Sequence, residues 1–262
     1  MEVIIRPDAE KTAQLAATFI AQKIKEKQKI VLGLATGRTM ERIYAILVQM
    51  HKNEGLDFSG CHSFNLDEYI GLSAEDPNSY RSYMDYHLFR HVNIDLKNTH
   101  VPNGMAQDVH SEGKRYEEEI RKVGGIDLQL LGIGETGHIG FNEPLSALMS
   151  RTRDKSLTPH TRQQNAEMFG GDPEKVPSRA MTMGVGTILE ARSILLVALG
   201  ESKASILAKA VEGPITSMIS ASALQLHSAC RILVDEAAAS QLSGRQYYDW
   251  VFQNEPEYAQ YR

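Results

Sequence analysis

The chain has 262 residues, of which 42% are hydrophobic and 23% charged, and its formal net charge is −5. This length suits one α/β domain with a substantial core, and the acidic balance offers no basic field for nucleic acid or an anionic membrane surface. The N-terminus lacks the features of a signal peptide. Cys61 and Cys230 are spaced like neither a metal site nor a disulfide framework. We therefore expect reduced, buried thiols, no bound metal and a cytoplasmic protein.

Short apolar runs alternate with longer amphipathic stretches along the chain. This alternation predicts a single-domain α/β fold with a mainly parallel sheet covered by helices on both faces. The predicted strands are Val3–Ile5, Ile30–Leu34, His62–Leu66, Ile126–Gly132, Ser193–Leu199 and Arg231–Val234. The predicted helices cover about 8–28, 39–53, 76–90, 106–123, 202–212 and 237–242.

The region 144–185 interrupts this alternation. It is polar and is broken by several prolines and glycines, among them Pro159, Gly170 and Pro173. Long segments of this kind inside a compact domain are usually functional, so we regard it as a candidate lid. A polar surface excursion without function explains the same composition equally well.

Four predicted strands end in chemically unusual segments, and ligands of open parallel sheets bind beyond the carboxyl ends of the strands. The first segment follows the strand that ends at Leu34 and precedes a helix. Gly37 permits close backbone approach to an anion, and the helix N-terminus adds partial positive charge. Thr36 and Thr39 offer hydroxyl groups, and Arg38 can bind a phosphate with two nitrogens. A plain strand–turn–helix corner fits the same residues.

The second segment holds the adjacent carboxylates Asp67 and Glu68 after the strand 62–66. Two neighbouring acids at the end of an apolar strand are unfavourable unless they are solvated or used. A carboxylate here could remove a proton from a substrate carbon. Helix N-capping by Asp67 is the alternative.

The third segment runs from Gly132 to Pro144 and contains His138 and Glu143 after a glycine-rich strand exit. A carboxylate within reach of a histidine can hold the imidazole in one tautomer and tune it for proton exchange near neutral pH. We therefore expect acid/base chemistry here.

The fourth segment places Lys203 in a first helical turn, where it could reach an anion or simply be solvated. Basic residues of the candidate lid add local positive charge: Arg151, Arg153, Lys155, His160 and Arg162.

Together these segments resemble the glucosamine-6-phosphate deaminase (isomerase) family over nearly the whole chain. The most specific block is Gly137-His-Ile-Gly-Phe-Asn-Glu-Pro, and Asn65-Leu-Asp-Glu-Tyr and Ser150-Arg-Thr-Arg match in the same order. The resemblance implies a modified Rossmann-like fold and conversion of glucosamine 6-phosphate and water to fructose 6-phosphate and ammonia. It implies no organic cofactor or metal, since aldose–ketose proton transfer needs only placed acids and bases.

The resemblance also implies roles for individual residues. Asp67 resembles the base that moves a proton between C2 and C1. His138 resembles the group that assists ring opening, with Glu143 as its partner. Lys203 and the turn from Thr36 to Thr39 resemble phosphate contacts.

Three positions depart from the family pattern. The family usually has Asp or Asn at Thr136, where the residue helps to orient the histidine–glutamate pair. The phosphate turn usually has glycine at Arg38, and the lid arginine that contacts phosphate aligns with Glu167. Arg38 therefore either replaces the missing phosphate contact or pairs with Glu167 and reshapes the pocket for another ligand.

Allosteric members of the family bind N-acetylglucosamine 6-phosphate through residues resembling Ser146, Arg153 and Lys155, all present here. The oligomer could range from monomer to hexamer. Alternative functions are a galactosamine 6-phosphate deaminase, a 6-phosphogluconolactonase-like enzyme and a non-catalytic sugar-phosphate sensor.

Overall fold

The computed structural model describes all residues from 1 to 262. No helix is both long enough and apolar enough to cross a membrane. The strands are β1 (Glu2–Arg6), β2 (Val31–Leu34), β3 (His62–Asn65), β4 (Asp67–Tyr69), β5 (Thr99–His100), β6 (Leu128–Leu131), β7 (Arg153–Ser156), β8 (Arg179–Thr182), β9 (Ser193–Ala198) and β10 (Cys230–Asp235). The α-helices are α1 (Ala9–Glu26), α2 (Arg38–Glu54), α3 (Tyr80–His87), α4 (Val109–Lys122), α5 (Pro159–Asn165), α6 (Val185–Leu189), α7 (Ala204–Val211) and α8 (Arg245–Asn254).

Seven strands form a parallel sheet in the order β1-β10-β9-β6-β2-β3-β5. From β2 the chain winds outward through β3 and β5, whereas from β6 it winds the opposite way through β9 and β10. The direction therefore reverses between the neighbours β2 and β6. A crevice opens beyond the carboxyl ends of the strands at such a switch point, so the loops after β2 and β6 flank the expected ligand position.

Burial on both faces explains the continuous apolar character of the central strands, since β2 and β6 have no exposed residue. The helices cover the sheet with an apolar stripe, as α1 does with Ala13, Ala16 and Ile20 at helical spacing. Its N-terminus is capped by Asp8, whose carboxylate accepts the Lys11 N–H at 2.7 Å.

A second, antiparallel sheet has the order β4-β8-β7 and stands at the carboxyl edge of the first. The chain passes from one sheet to the other at Leu66. The Leu66 N–H donates to the Leu34 carbonyl at 3.0 Å, and the Leu66 carbonyl accepts the Met183 N–H at 2.7 Å. Asp67, the next residue, is therefore placed directly over the edge of the parallel sheet.

The six predicted strands are confirmed within two residues at each end, and the predicted α/β class with a mainly parallel sheet is confirmed. Five of the six predicted helices are also present. The helix predicted from residue 76 begins only at Tyr80, because Pro77 precedes it and Ser79 caps it by accepting the Ser82 N–H at 3.1 Å.

The helix predicted at 237–242 is wrong, and α8 was not predicted. Residues 236–241 form consecutive turns, the first of which is closed by Asp235, whose carboxylate accepts the Ala238 N–H at 2.8 Å. So short a segment gains too few intrahelical bonds to offset helix nucleation. The helix α8 carries several aromatic residues of modest helix propensity and buries only Phe252, which weakens its sequence signal.

The region 144–185 is more ordered than its composition indicates. It contributes β7, α5 and β8, and its side chains help to form a separate apolar cluster around Tyr69, Phe141 and Phe169. The polar strand sequences Arg-Asp-Lys-Ser and Arg-Ala-Met-Thr carry no apolar alternation, so the second sheet was missed.

Candidate active site

A cavity of about 650 Å³ opens at the switch point between β2 and β6. All four unusual segments reach it, together with Gln164, Asn165, Glu167 and Met168 of the candidate lid. Its volume lies in the range of small-molecule sites. The predicted residues that line it are Thr36, Gly37, Arg38, Thr39, Asp67, His138 and Lys203.

The turn after β2 presents the N-terminus of α2 to this cavity. Gly37 adopts φ 117°, a conformation that favours glycine, and no side chain caps the helix that follows. The turn is held from behind, since the Tyr83 hydroxyl donates to the Gly37 carbonyl at 2.9 Å and the Tyr44 hydroxyl to the Ala35 carbonyl at 2.5 Å. The uncapped N–H groups and the helix dipole make this end attractive to an anion.

Two cations stand beside the turn. The Arg38 guanidinium lies 3.3 Å from the Glu167 carboxylate of the candidate lid, and both side chains are largely exposed. The pKa of Lys203 is lowered, mainly by burial and also by the charge of Arg38, with Glu135 opposing. The pairing of Arg38 with Glu167 that the sequence predicts as one alternative is therefore present. Arg38 and Lys203 both line the same cavity.

Asp67 lies on β4 and is 6% exposed. The protein provides no hydrogen bond to its carboxyl group. Burial, followed by the charge of Glu68, raises the pKa of Asp67 to about 8. The alternative role as a helix N-cap is wrong, because Asp67 is in a strand and the nearest helix, α3, is capped by Ser79.

His138 is 9% exposed and is held from its Nδ1 side. The Thr136 hydroxyl lies 2.8 Å from Nδ1, within hydrogen-bond distance. The Glu143 Oε2 atom lies 3.6 Å from the same nitrogen, an ionic contact rather than a hydrogen bond. No protein group bonds Nε2, so this nitrogen remains available for a ligand in the cavity.

Glycines create the space for the imidazole. A β-carbon at Gly134 would lie 2.1 Å from the His138 Nε2 atom, and Gly137 adopts φ 81° with Ile219 close by. The Gly134 N–H also donates to the His138 carbonyl at 2.9 Å. The glycine-rich strand exit is therefore a packing requirement of the histidine.

Glu143 stands behind His138 and is 2% exposed. Its Oε1 atom accepts the Thr158 N–H at 3.1 Å, whereas its Oε2 atom is buried without a hydrogen-bond partner. Burial raises the pKa of Glu143, but interactions with His138, Thr161 and Thr158 outweigh it and lower the pKa to about 2. The ionised and unpaired Glu143 Oε2 atom beside Nδ1 favours the neutral imidazole tautomer of His138 that carries its proton on Nδ1.

The predicted regulatory residues lie behind this loop and outside the cavity. The Ser146 hydroxyl donates to the Glu143 carbonyl at 2.7 Å, and the Arg153 guanidinium donates to the Asn142 amide oxygen at 2.9 Å. Lys155 follows Arg153 at a spacing of two on β7, on the same face of the strand. Ser146 and Arg153 thus contact the backbone and side chains that flank Glu143.

Sequence reasoning missed the aromatic wall of the cavity. Tyr80 lines it, and its hydroxyl lies 3.3 Å from that of Tyr69, which also accepts the Asn165 amide at 3.0 Å. Nothing in the local sequence separates these tyrosines from ordinary core residues, because their meeting depends on the packing of α3, β4 and α5.

Comparison with known proteins gives close relatives over nearly the whole chain. The chain is 47% identical to a glucosamine-6-phosphate deaminase of Hahella chejuensis over 251 residues, 96% of this chain and 95% of that protein. It is 48% identical to the glucosamine-6-phosphate deaminase of Shewanella loihica over 248 residues, 95% and 92% of the two proteins.

Solved structures agree with these sequence matches. A monomeric glucosamine-6-phosphate deaminase has a TM-score of 0.90 at 45% identity, covering 92% of this chain and all 100% of that one. A 6-phosphogluconolactonase from Thermotoga maritima shares the fold, with a TM-score of 0.69 at 18% identity over 89% and 98% of the two chains. The family described as glucosamine-6-phosphate isomerases/6-phosphogluconolactonase matches residues 7–231, and the chain belongs to this family.

Proposed function

We propose that this chain converts glucosamine 6-phosphate and water to fructose 6-phosphate and ammonia. The observation that carries the proposal is the buried Asp67 carboxyl group, which faces a sugar-sized cavity with His138 and has no protein partner. Such a group suits a cationic substrate, because an ammonium group at C2 would supply the missing counter-charge. Identity of 47–48% to deaminases, against 18% to a lactonase, supports this function over lactone hydrolysis.

In this proposal the phosphate binds at the turn after β2. Thr36, Thr39 and the N–H groups at the start of α2 donate to its oxygens, and Arg38 and Lys203 add charge. Arg38 would then exchange part of its contact with Glu167 for a contact with the phosphate. Binding at this end fixes the sugar with its reacting carbons toward Asp67 and His138.

His138 then opens the sugar ring. Its Nε2 atom takes the proton from the O1 hydroxyl and returns a proton to O5, which releases the aldehyde. Thr136 and Glu143 hold Nδ1 on the opposite side of the ring, and the negative charge of Glu143 stabilises the imidazolium that forms.

Asp67 carries out the isomerisation. Its carboxylate removes the C2 proton while O1 takes a proton from the ammonium group, which gives an enolamine. Asp67 then returns its proton to C1, which gives an iminium group at C2. Water adds to this carbon and ammonia leaves, so that fructose 6-phosphate remains. These steps require no group beyond the acids and bases of the chain.

Purified protein should release ammonia and fructose 6-phosphate in equal amounts from glucosamine 6-phosphate. Galactosamine 6-phosphate and 6-phosphogluconolactone test the alternative substrates, and unphosphorylated glucosamine tests the phosphate contacts. Absence of ammonia from both amino-sugar phosphates would contradict the proposal, and turnover of the lactone alone would replace it.

We also propose a cellular compartment, a regulatory site and a range of oligomeric states for this protein. Cys61 and Cys230 are both free and buried, which suits a reducing cytoplasm. The contacts of Ser146 and Arg153 with the loop of Glu143 support a regulatory site there, with Lys155 as a third ligand for a sugar phosphate. We consider oligomeric states from monomer to hexamer, and the similar glucosamine-6-phosphate deaminase that is monomeric represents one end of this range.

A further inference from the structure

Glu68 follows Asp67 on β4 and points to the opposite face of the strand. Side chains alternate along a strand, and Asp67 faces the large cavity whereas Glu68 faces a smaller, polar cavity of about 330 Å³ behind β4. Glu68 is only 2% exposed. A buried carboxylate next to the proposed base requires a physical explanation.

The carboxylate of Glu68 joins β4 to the first turn of α3. Its Oε1 atom accepts the N–H groups of Tyr69 at 2.9 Å and Tyr80 at 3.0 Å, and its Oε2 atom accepts that of Arg81 at 3.1 Å. Tyr80 and Arg81 are the first two residues of α3, whose N–H groups have no acceptor within the helix. One side chain therefore sets the position of the strand that carries Asp67 relative to the helix that carries Tyr80.

This connection extends into the cavity wall. The rings of Tyr69 and Tyr80 lie 5.0 Å apart, and both pack against Phe141 of the loop that contains His138. A shift of β4 against α3 would therefore move the base and the wall together.

The charge of Glu68 is not neutralised by a nearby cation. The arginines that face it are paired elsewhere: Arg81 lies 3.2 Å from Asp85, and Arg115 lies 2.5 Å from Glu119. Burial raises the pKa of Glu68 to about 7 despite its three N–H donors. The titratable and charged groups around Glu68 are its strand neighbour Asp67 and, on other elements, Asp76, Arg81, His100, Arg115 and Glu119.

We propose that Glu68 is a positioning residue for the proton transfer, because it fixes β4 against α3 and places a second negative charge behind Asp67. The inference rests on the proposed function, in which Asp67 is the base. Ionised Glu68 disfavours ionisation of Asp67, so its removal lowers the pKa of Asp67 and leaves the base active at lower pH.

The test is Glu68→Gln, with kcat/KM for glucosamine 6-phosphate measured against pH. The acid limb is the part of the profile where kcat/KM falls as Asp67 becomes protonated, and it should move to lower pH by about one unit. The value of kcat should also fall about tenfold, because the amide of glutamine cannot accept all three N–H groups. Glu117→Gln is the matched control. Glu117 is also buried and accepts a backbone N–H, that of Thr152 at 2.8 Å, but it makes no hydrogen bond to β4 and does not line the cavity that Glu68 faces.

The acid limb of Glu117→Gln should coincide with that of the wild type. An unmoved acid limb in folded Glu68→Gln would overturn the inference. Should this variant not fold, Glu68→Asp keeps the charge and shortens the reach, and a wild-type kcat in that variant would also overturn it. These outcomes differ from a failure of the proposed function itself. If that function is wrong, the wild type releases no ammonia from glucosamine 6-phosphate, or Asp67→Asn retains full activity.

Discussion

The cavity has a buried side, lined by Asp67 and His138 with Glu143 behind them, and an exposed side, lined by Arg38 and Glu167. The three residues of the buried side are 6%, 9% and 2% exposed, whereas the side chains of Arg38 and Glu167 are 83% and 80% exposed. The low dielectric of the buried side strengthens the electrostatic interactions of its charged groups, whereas water screens the interaction between Arg38 and Glu167 on the exposed side. Substitutions on the buried side should therefore change turnover, and those on the exposed side should change substrate affinity.

The largest effect should follow Asp67→Asn on the buried side. Loss of the proposed base should lower kcat about 10³-fold. Because the folded pKa of Asp67 is raised, its stabilising contribution is present at low pH and is lost as the pH rises through about 8. The variant should therefore be more stable than the wild type at pH 8, by about 1 kcal/mol or more, which corresponds to a Tm increase of roughly 2–4 °C.

Steady-state kinetics and thermal unfolding at pH 5 and pH 8 check this prediction. A near-normal kcat would remove Asp67 from the reaction. A Tm difference from the wild type that is the same at both pH values would contradict the burial argument.

A smaller effect on turnover should follow Thr136→Val, which removes the hydroxyl group 2.8 Å from the His138 Nδ1 atom. One hydrogen bond contributes about 1 kcal/mol, so kcat should fall about fivefold with KM unchanged. Thr136→Ser keeps the hydroxyl and is the control. Equal kcat values for the two variants would mean that Glu143 alone orients the imidazole.

The smallest effect should follow Arg38→Gly on the exposed side. We expect KM for the phosphorylated sugar to rise about threefold, since an exposed charge contact is screened by water, while kcat stays within twofold of the wild type. Adding Glu167→Arg should restore part of the affinity, and the difference should shrink at high salt. An unchanged KM in Arg38→Gly would exclude Arg38 from the phosphate site and break the comparison between the two sides.

The parallel sheet and the segments at its edge were predictable because their signals are local. Apolar runs marked the six strands, and glycines beside His138 marked a tight strand exit. The second sheet could not be predicted, since β7 and β8 have polar sequences whose strand conformation depends on pairing with β4. The helix error at 237–242 has a related cause, because Asp235 binds the Ala238 N–H and closes a turn instead.

The sequence by itself determined the family, the strand order along the chain and the residue types available for acid/base chemistry. Only the tertiary structure decided what each of those residues faces. Asp67 and Glu68 are adjacent and alike in sequence, yet pairing of β4 with β8 directs Asp67 to the large cavity and Glu68 to the start of α3. The physical reason is that side-chain direction along a strand is defined by its partner strands and neighbouring helices, which lie far away in the chain.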